Sequence, residues 1–232
     1  MTGLTVLYED NHLLGVQKPQ GVLTQGDETG DTSLLEMAKL YLKERYSKPG
    51  AVYLGLVHRL DRPTGGVILF CRTSKAAGRV SEQFRKREVK KTYLAACFGR
   101  SNASDVLEHH LTFNKKTRKT LVHQEPVEGS KPAQLHYRTI SGGGGKSLLS
   151  VTPISGRKHQ IRAQLAHVGL PIVGDQKYAT RRADGGYVTA IGLWAHKLEL
   201  IHPVKRESLV LSCLPSIGDG LWAEFDQVLS GL

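Results

Sequence analysis

The chain has 232 residues, 40% hydrophobic and 23% charged, which suits one globular domain spanning 1–232 and excludes global disorder. Lys and Arg number 32 against 21 Asp and Glu, and the whole +11 excess lies beyond residue 61, so a polyanion is the expected partner, nucleic acid or an anionic membrane. No apolar run approaches the ~20 residues of a spanning helix and no secretory signal is visible; Cys71, Cys97 and Cys213 are too scattered for a disulfide framework or zinc ribbon, so the cytoplasm is the expected compartment.

Leu4–Tyr8 and Leu13–Val16 read as strands around the turn Glu9-Asp10-Asn11. Ser33-Leu-Leu-Glu36 has capping-box spacing and opens a helix with Leu34, Met37, Ala38 and Tyr41 on its apolar face, ending before Pro49-Gly50. Strands Val52–Val57 and Val67–Phe70 flank a polar turn from His58 to Gly66, followed by a helix from Ser74 to Arg87 and a strand Thr92–Phe98. Residues 105–155 read as a β-meander with Gly142–Gly145 at a hairpin tip. A third helix falls at Lys158–Val168, burying Ile161, Leu165 and Val168, with Gly169 as its cap. Strands at Val188–Leu193, Lys197–Ile201 and Leu209–Cys213 precede a closing helix, Leu221–Leu229, capped by Asp219. The pattern is a mixed α/β (α+β) chain: a mostly antiparallel sheet of consecutive strands with a few flanking helices.

Gly142–Gly145 followed by Lys146-Ser147 imitates a phosphate-binding loop, but Ile140 stands where the first glycine belongs and a strand pattern follows, so no nucleotide cofactor is expected. Metal-ligand and hydrolase spacings are likewise missing. Three stretches remain. Asp61 lies in a turn between Arg59 and Arg62, either a turn-forming residue before Pro63 or a carboxylate kept ionised by the neighbouring arginines. Gly156-Arg157-Lys158-His159-Gln160-Ile161-Arg162 is either a solvated basic face or an anion site at a helix start. A basic run (Arg72, Lys75, Arg79, Arg85, Lys86, Arg87, Lys90, Lys91) leads into Tyr93, a core strand aromatic or a ring on which a base stacks. Lys115, Lys116, Arg118 and Lys119 form a smaller patch. A membrane-surface role ranks last, because the helix near Ser74 offers only Val80 and Phe84 as sizeable apolar groups.

His58-Arg-Leu-Asp61-Arg-Pro-Thr64 resembles the His-Arg-Leu-Asp-x-x-Thr-Ser-Gly segment of the RluA-type pseudouridine synthases. Lys18-Pro19-x-Gly21, Lys91-Thr-Tyr93-Leu-Ala95, the stretch from Gly156 through Arg162 to Gly174-Asp175 and Tyr178, and Leu198 through His202-Pro203 are similar to its other segments, in order. The resemblance implies the pseudouridine synthase fold with a central basic catalytic cleft. It also implies isomerisation of uridine in structured rRNA or tRNA by base flipping, without metal, cofactor or membrane partner. Asp61 would be the catalyst, acting at the ribose C1′ or C2′; Tyr93 would stack on the uracil; Arg162 would pair with Asp61. Arg59 would fill the space of the extruded nucleotide, with Arg62, Lys91, Arg157, Lys158 and His159 as further RNA contacts. Gly65, Gln164 and Gln25 depart from the residues usual in the family, and no role is carried to them. Many relatives carry a small N-terminal RNA-binding domain; here the catalytic strand begins by Leu4, so a stand-alone monomer is expected.

Overall fold

The computed structural model describes residues 3–179, 190–216 and 220–232. The strands are β1 (Thr5–Glu9), β2 (Leu13–Lys18), β3 (Gly55–Leu56), β4 (Gly65–Cys71), β5 (Lys90–Phe98), β6 (Ser104–Asn114), β7 (Lys119–His123), β8 (Lys131–Gly143), β9 (Lys146–Pro153), β10 (Leu193–Ile201) and β11 (Ser208–Ser212). The helices are α1 (Leu34–Arg45), α2 (Ser74–Lys86), α3 (Gln160–His167) and α4 (Asp226–Leu229). Two compact units are built from these, residues 1–90 with 195–213 and residues 91–194 with 214–232.

In the first unit the neighbour order is β1-β2-β4-β10, with β3 also on β4 and β11 on β10. β1–β2, β2–β4, β3–β4 and β10–β11 are antiparallel. All seven residues of β4 are buried, as expected of a strand covered on both faces. Leu13, Val67, Leu69 and Cys71 form a core with Ala76 and Val80 of α2 and with Leu198, Leu200 and Leu211. Gly66 is required by geometry: its φ is +118°, and a Cβ there would lie 2.2 Å from the Ala195 carbonyl oxygen. α1 begins at the expected capping box, Ser33 Oγ accepting from the Glu36 amide while the Glu36 carboxylate accepts from the Ser33 amide. The expected strand Val52–Val57 shrinks to Gly55–Leu56, paired with Cys71 and Phe70 on the edge of β4 away from β2, where β10 is the main neighbour of β4.

Asp10 fastens the β1–β2 turn to the turn after β10. Its carboxylate accepts from the His12 and Leu13 amides (both 2.8 Å), the Tyr8 hydroxyl (3.0 Å) and Nε2 of the buried His202 (2.9 Å). Burial pushes its pKa up, but these donors and the His202 charge outweigh burial and hold the carboxyl well below its ordinary 3.8. A depressed carboxylate stabilises the fold above its unfolded pKa, and that contribution disappears as pH falls through the depressed value. Urea midpoints between pH 6 and 2 are expected to fall below about pH 4, and less steeply for Asp10→Asn than for the wild type. Parallel curves for the two proteins would contradict this.

The second unit has the order β5-β9-β8-β6-β7, with β5–β9, β8–β9, β6–β8 and β6–β7 antiparallel. The β8–β9 turn holds Gly144 and Gly145 at φ +59° and +79°, so the glycine tract is a hairpin tip as expected. The simple meander is wrong at one point: β8 pairs with β6 rather than β7. β7 has five residues, whereas β6 has eleven with which to receive the thirteen of β8. Ile161 and Leu165 of α3 pack with Ala95, Leu135, Leu149, Val151 and Leu193 in the core.

Three further helix and strand expectations are corrected. α3 starts at Gln160 rather than Lys158, because His159 takes the left-handed conformation (φ 52°) immediately before it. Val168 is 39% exposed rather than part of the buried stripe, since the helix has already ended at His167. The closing helix is a 3₁₀ turn, Gly220–Phe225, followed by the short α4, with Trp222, Phe225 and Leu229 buried. The expected cap Asp219, and residues 188–189 of the expected strand Val188–Leu193, lie outside the described residues; Leu193 itself opens β10.

Candidate active site

Asp61 sits on an irregular segment of the first unit between β3 and β4, half-buried, its carbonyl accepting from the Thr64 amide at 3.0 Å. Backbone in such a turn needs outside partners for its polar groups. Here residues 18–24, just after β2, supply them. The Gly21 amide donates to the Arg62 carbonyl (2.9 Å), Arg62 Nε donates to the Gly21 carbonyl (2.9 Å), and Gln20 Nε2 donates to the Pro63 carbonyl (3.0 Å). Thr24 Oγ1 donates to the Leu60 carbonyl at 2.9 Å and accepts from the Leu60 amide at 3.2 Å. Lys18, fully buried at the end of β2, donates from Nζ to the Pro19, Val22 and Arg62 carbonyls at 3.0, 2.5 and 3.0 Å. His58 supports the other side: its Nε2 accepts from the Leu69 amide at 2.9 Å and its ring stacks on Phe84 at 5.1 Å. The residues on both sides of Asp61 are therefore fixed through their main chain.

Burial pulls the Lys18 pKa down to about 7; the Asp61 charge opposes that fall and Arg62 adds to it. The ammonium thus lies within electrostatic reach of the carboxylate. The sequence assigns Lys18 no role of its own. Its signal was a lone lysine closing an apolar strand directly before Pro19.

Arg162 and Tyr93 belong to the second unit. Gln160, buried at the start of α3, accepts on Oε1 from Ser155 Oγ (2.8 Å) and the Arg157 amide (3.0 Å) and donates from Nε2 to the Gln134 carbonyl (3.0 Å). That network fixes the loop ahead of the helix. Arg162 is 5% exposed and makes a fork-to-fork pair with Asp175, Nε to Oδ2 at 2.7 Å and NH2 to Oδ1 at 2.9 Å. Asp175 Oδ1 also accepts from the Lys177 and Tyr178 amides. Two of the five guanidinium N–H groups therefore go to Asp175, a partner that sequence reasoning missed although Gly174-Asp175 lay in a quoted motif. Tyr93, on β5 opposite Val151, is partly buried against the core of its unit. Lys91 beside it is also partly buried, which lowers its pKa.

The remaining expected RNA contacts divide by environment. Arg59 is exposed. Arg62 is also exposed; it donates to the Gly21 carbonyl and pairs with Asp31 at 2.6 Å on the surface. Arg157 donates to the Pro132 carbonyl, and Lys158 lies 3.9 Å over the Phe113 ring. His159 Nδ1 lies 2.8 Å from the Tyr178 hydroxyl, which accepts from the Thr120 amide at 2.7 Å; Thr120 Oγ1 in turn donates to the Lys158 carbonyl. These bonds lock the β6–β7 hairpin onto the start of α3, and Lys115, Lys116, Arg118 and Lys119 are exposed at its tip. The basic run around α2 supplies less free charge than its count suggests. Arg72 is turned inward to the Asp10 carbonyl (2.5 Å) and Glu9 (3.2 Å), Arg85 and Lys86 pair with Glu82, and Lys90 pairs with Glu199.

Comparison with known proteins gives one answer. Residues 12–167 match the family model described as RNA pseudouridylate synthase. A ribosomal large subunit pseudouridine synthase C of Buchnera aphidicola subsp. Schizaphis graminum is 32% identical over 209 residues, covering 85% of this chain and 63% of that protein. A tRNA pseudouridine synthase C of Pectobacterium carotovorum is 31% identical over 228 residues, covering 90% and 58%. This chain therefore spans less than two thirds of the length of these curated relatives. Human RNA Pseudouridylate Synthase Domain Containing 4 superposes with a TM-score of 0.76 at 25% identity, covering 91% of this chain and 88% of that one.

Proposed function

The chain belongs to the RNA pseudouridylate synthase family, of the RluA type, and we propose that it isomerises uridine to pseudouridine in structured RNA. The observation that carries the reading is the carboxylate of Asp61 on a turn whose neighbouring carbonyls, at positions 60, 62 and 63, are all held by donors from residues 18–24. A group that attacks a sugar needs that fixation, because misplacement by about 1 Å costs on the order of 100-fold in rate. A turn-former before proline would not need it.

In this reading the uridine leaves its stack at a cost of a few kcal/mol, and stacking on Tyr93 recovers about 1–3 kcal/mol. Asp61 acts on the ribose at C1′ or C2′ and the bond from N1 to C1′ breaks. The uracil turns, C5 bonds to C1′, the C5 proton passes to water and N1 takes up a proton in exchange. The nucleotide's composition is unchanged, so the reaction consumes no cofactor. Arg162 steers Asp61 and Arg59 fills the space of the extruded nucleotide, while Arg62, Lys91, Arg157, Lys158, His159 and the exposed lysines of the β6–β7 tip meet phosphates. The substrate is rRNA or tRNA, and the protein works as a monomer in the cytoplasm. Among the described residues no helix is long and apolar enough to cross a membrane.

The test is tritium release. RNA labelled at uracil C5, taken from cells lacking the gene, should lose tritium to water on incubation with the protein, and pseudouridine should appear in its digest. Tight, salt-sensitive RNA binding without release would instead make the protein an RNA-binding member of the family without the activity.

A further inference from the structure

We propose that the surface at the end of β4 remote from Asp61 is a second RNA contact: unpaired bases stack on Tyr46 and Tyr53 while the adjoining phosphates meet Lys43, Lys48 and Lys75. The inference takes RNA as the partner from the reading above and does not depend on the catalytic assignment. β4 has seven residues, about 20 Å at ~3.3 Å per residue, with Asp61 before its start and Arg72 after its end. Tyr46 closes α1 and Tyr53 precedes β3, and both reach that far end. Arg72 lies 4.7 Å from the centroid of the Tyr46 ring. The Tyr53 hydroxyl lies close to Gly55, the partner of Cys71; a Cβ on Gly55 would be 2.9 Å from that hydroxyl and 2.8 Å from Ala77 of α2.

Both rings are open to solvent, Tyr46 by 46% and Tyr53 by 51%. The largely buried Arg72 side chain lies against Tyr46, and Glu9 accepts from the Tyr46 hydroxyl at 2.6 Å. The ring is therefore held in place with an outer face exposed, so stacking on it costs little side-chain entropy. Shielding the Glu9–Arg72 pair would account for Tyr46 by itself. It does not account for Tyr53, which makes no hydrogen bond among the described residues, or for the surrounding charge. Four of the six basic residues in positions 1–61 fall between 39 and 48. Lys43, Lys48 and, at the start of α2, Lys75 are exposed and form no ion pair among the described residues. Cations beside exposed rings suit single-stranded nucleic acid, with phosphates on the ammonium groups and bases on the rings. A duplex hides its base faces, and protein–protein interfaces are poor in lysine. Unpaired RNA fits both halves of the surface.

The test titrates the full chain with two fluorescein-labelled probes, a 20-nucleotide oligouridylate and a 20-base-pair RNA duplex, and compares two variants. Tyr53→Ser removes a ring, and the triple variant Lys43→Gln, Lys48→Gln, Lys75→Gln removes three charges; all four side chains are exposed, so melting temperatures should stay at the wild-type value. We expect Tyr53→Ser to raise the oligouridylate Kd at least ~5-fold and to leave the duplex Kd within about 2-fold. The triple variant should flatten the slope of log Kd against log salt for oligouridylate by about 2, at roughly 0.7 for each lost phosphate contact. On tritium-labelled RNA both should raise KM with kcat unchanged, because neither touches the Asp61 turn. Wild-type oligouridylate Kd and salt slope in both variants would overturn the proposal and leave the surface to a protein partner or to none. Equal weakening on duplex and single strand by Tyr53→Ser would overturn it too, since no base would be stacking there. Failure of the wild type to release tritium would instead remove the catalytic reading, while the oligouridylate titrations still decide this one.

Discussion

Asp61→Asn should reduce tritium release by ~10⁴-fold or more, with RNA affinity within about 3-fold of wild type and the protein still folded. The substitution keeps the shape of the side chain and removes only its charge and basicity. The braces around it do not depend on the carboxylate: Thr24, Gln20, Gly21 and Lys18 all bond to the main chain of residues 60, 62 and 63. The Thr64 amide likewise bonds to the Asp61 carbonyl oxygen, not to its side chain. Lys18 does lose the negative charge that raises its pKa, so a small decrease in stability is expected near and below neutrality. Asp61→Ala guards against traces of aspartate regenerated by deamidation. Full turnover by either variant, properly folded, would remove Asp61 from the chemistry.

Much of this architecture was legible from local signals. Ser33 and Glu36 announced α1 because both halves of a capping box lie within one turn, and the glycines at 144 and 145 announced a hairpin because its turn needs positive φ. Alternation of apolar residues in β8 told which face is buried, but not that its partner would be β6 rather than β7; strand pairing is a nonlocal choice. The left-handed His159 carries no compositional sign, so the apolar spacing alone extends α3 back to Lys158. At the site, Asp61 alone looked as much like a turn-former as a catalyst, and the order of the motifs around it raised it above that reading. Lys18 and Asp175 stayed hidden for one reason. A buried charge is made tolerable by partners far away in sequence, and Arg62 is 44 residues from Lys18.

The pairing of Arg162 with Asp175 makes the second large expectation one of stability as well as activity. Asp175→Asn should destabilise the second unit by about 3–5 kcal/mol, the usual cost of breaking a buried ion pair by changing one member. The side chains are 5% and 0% exposed, so water cannot replace the lost charge. The amide cannot mimic the carboxylate in either orientation. One oxygen faces Arg162 Nε; the other accepts from Arg162 NH2 and from the amides of Lys177 and Tyr178. Whichever position the new NH2 group takes, it meets N–H donors. Both tryptophans, Trp194 and Trp222, are buried in the second unit, so their fluorescence during urea unfolding reports on the unit concerned. The double variant Arg162→Met with Asp175→Leu removes both charges. It should regain much of the stability, since apolar replacement of a buried pair is often neutral or stabilising. If Arg162 steers Asp61 as proposed, that stable double variant still fails to release tritium, and lost activity is then separated from lost folding. A cost below about 1 kcal/mol for Asp175→Asn would show that the fork contributes little to the fold; a stable, fully active double variant would strip Arg162 of its part in turnover.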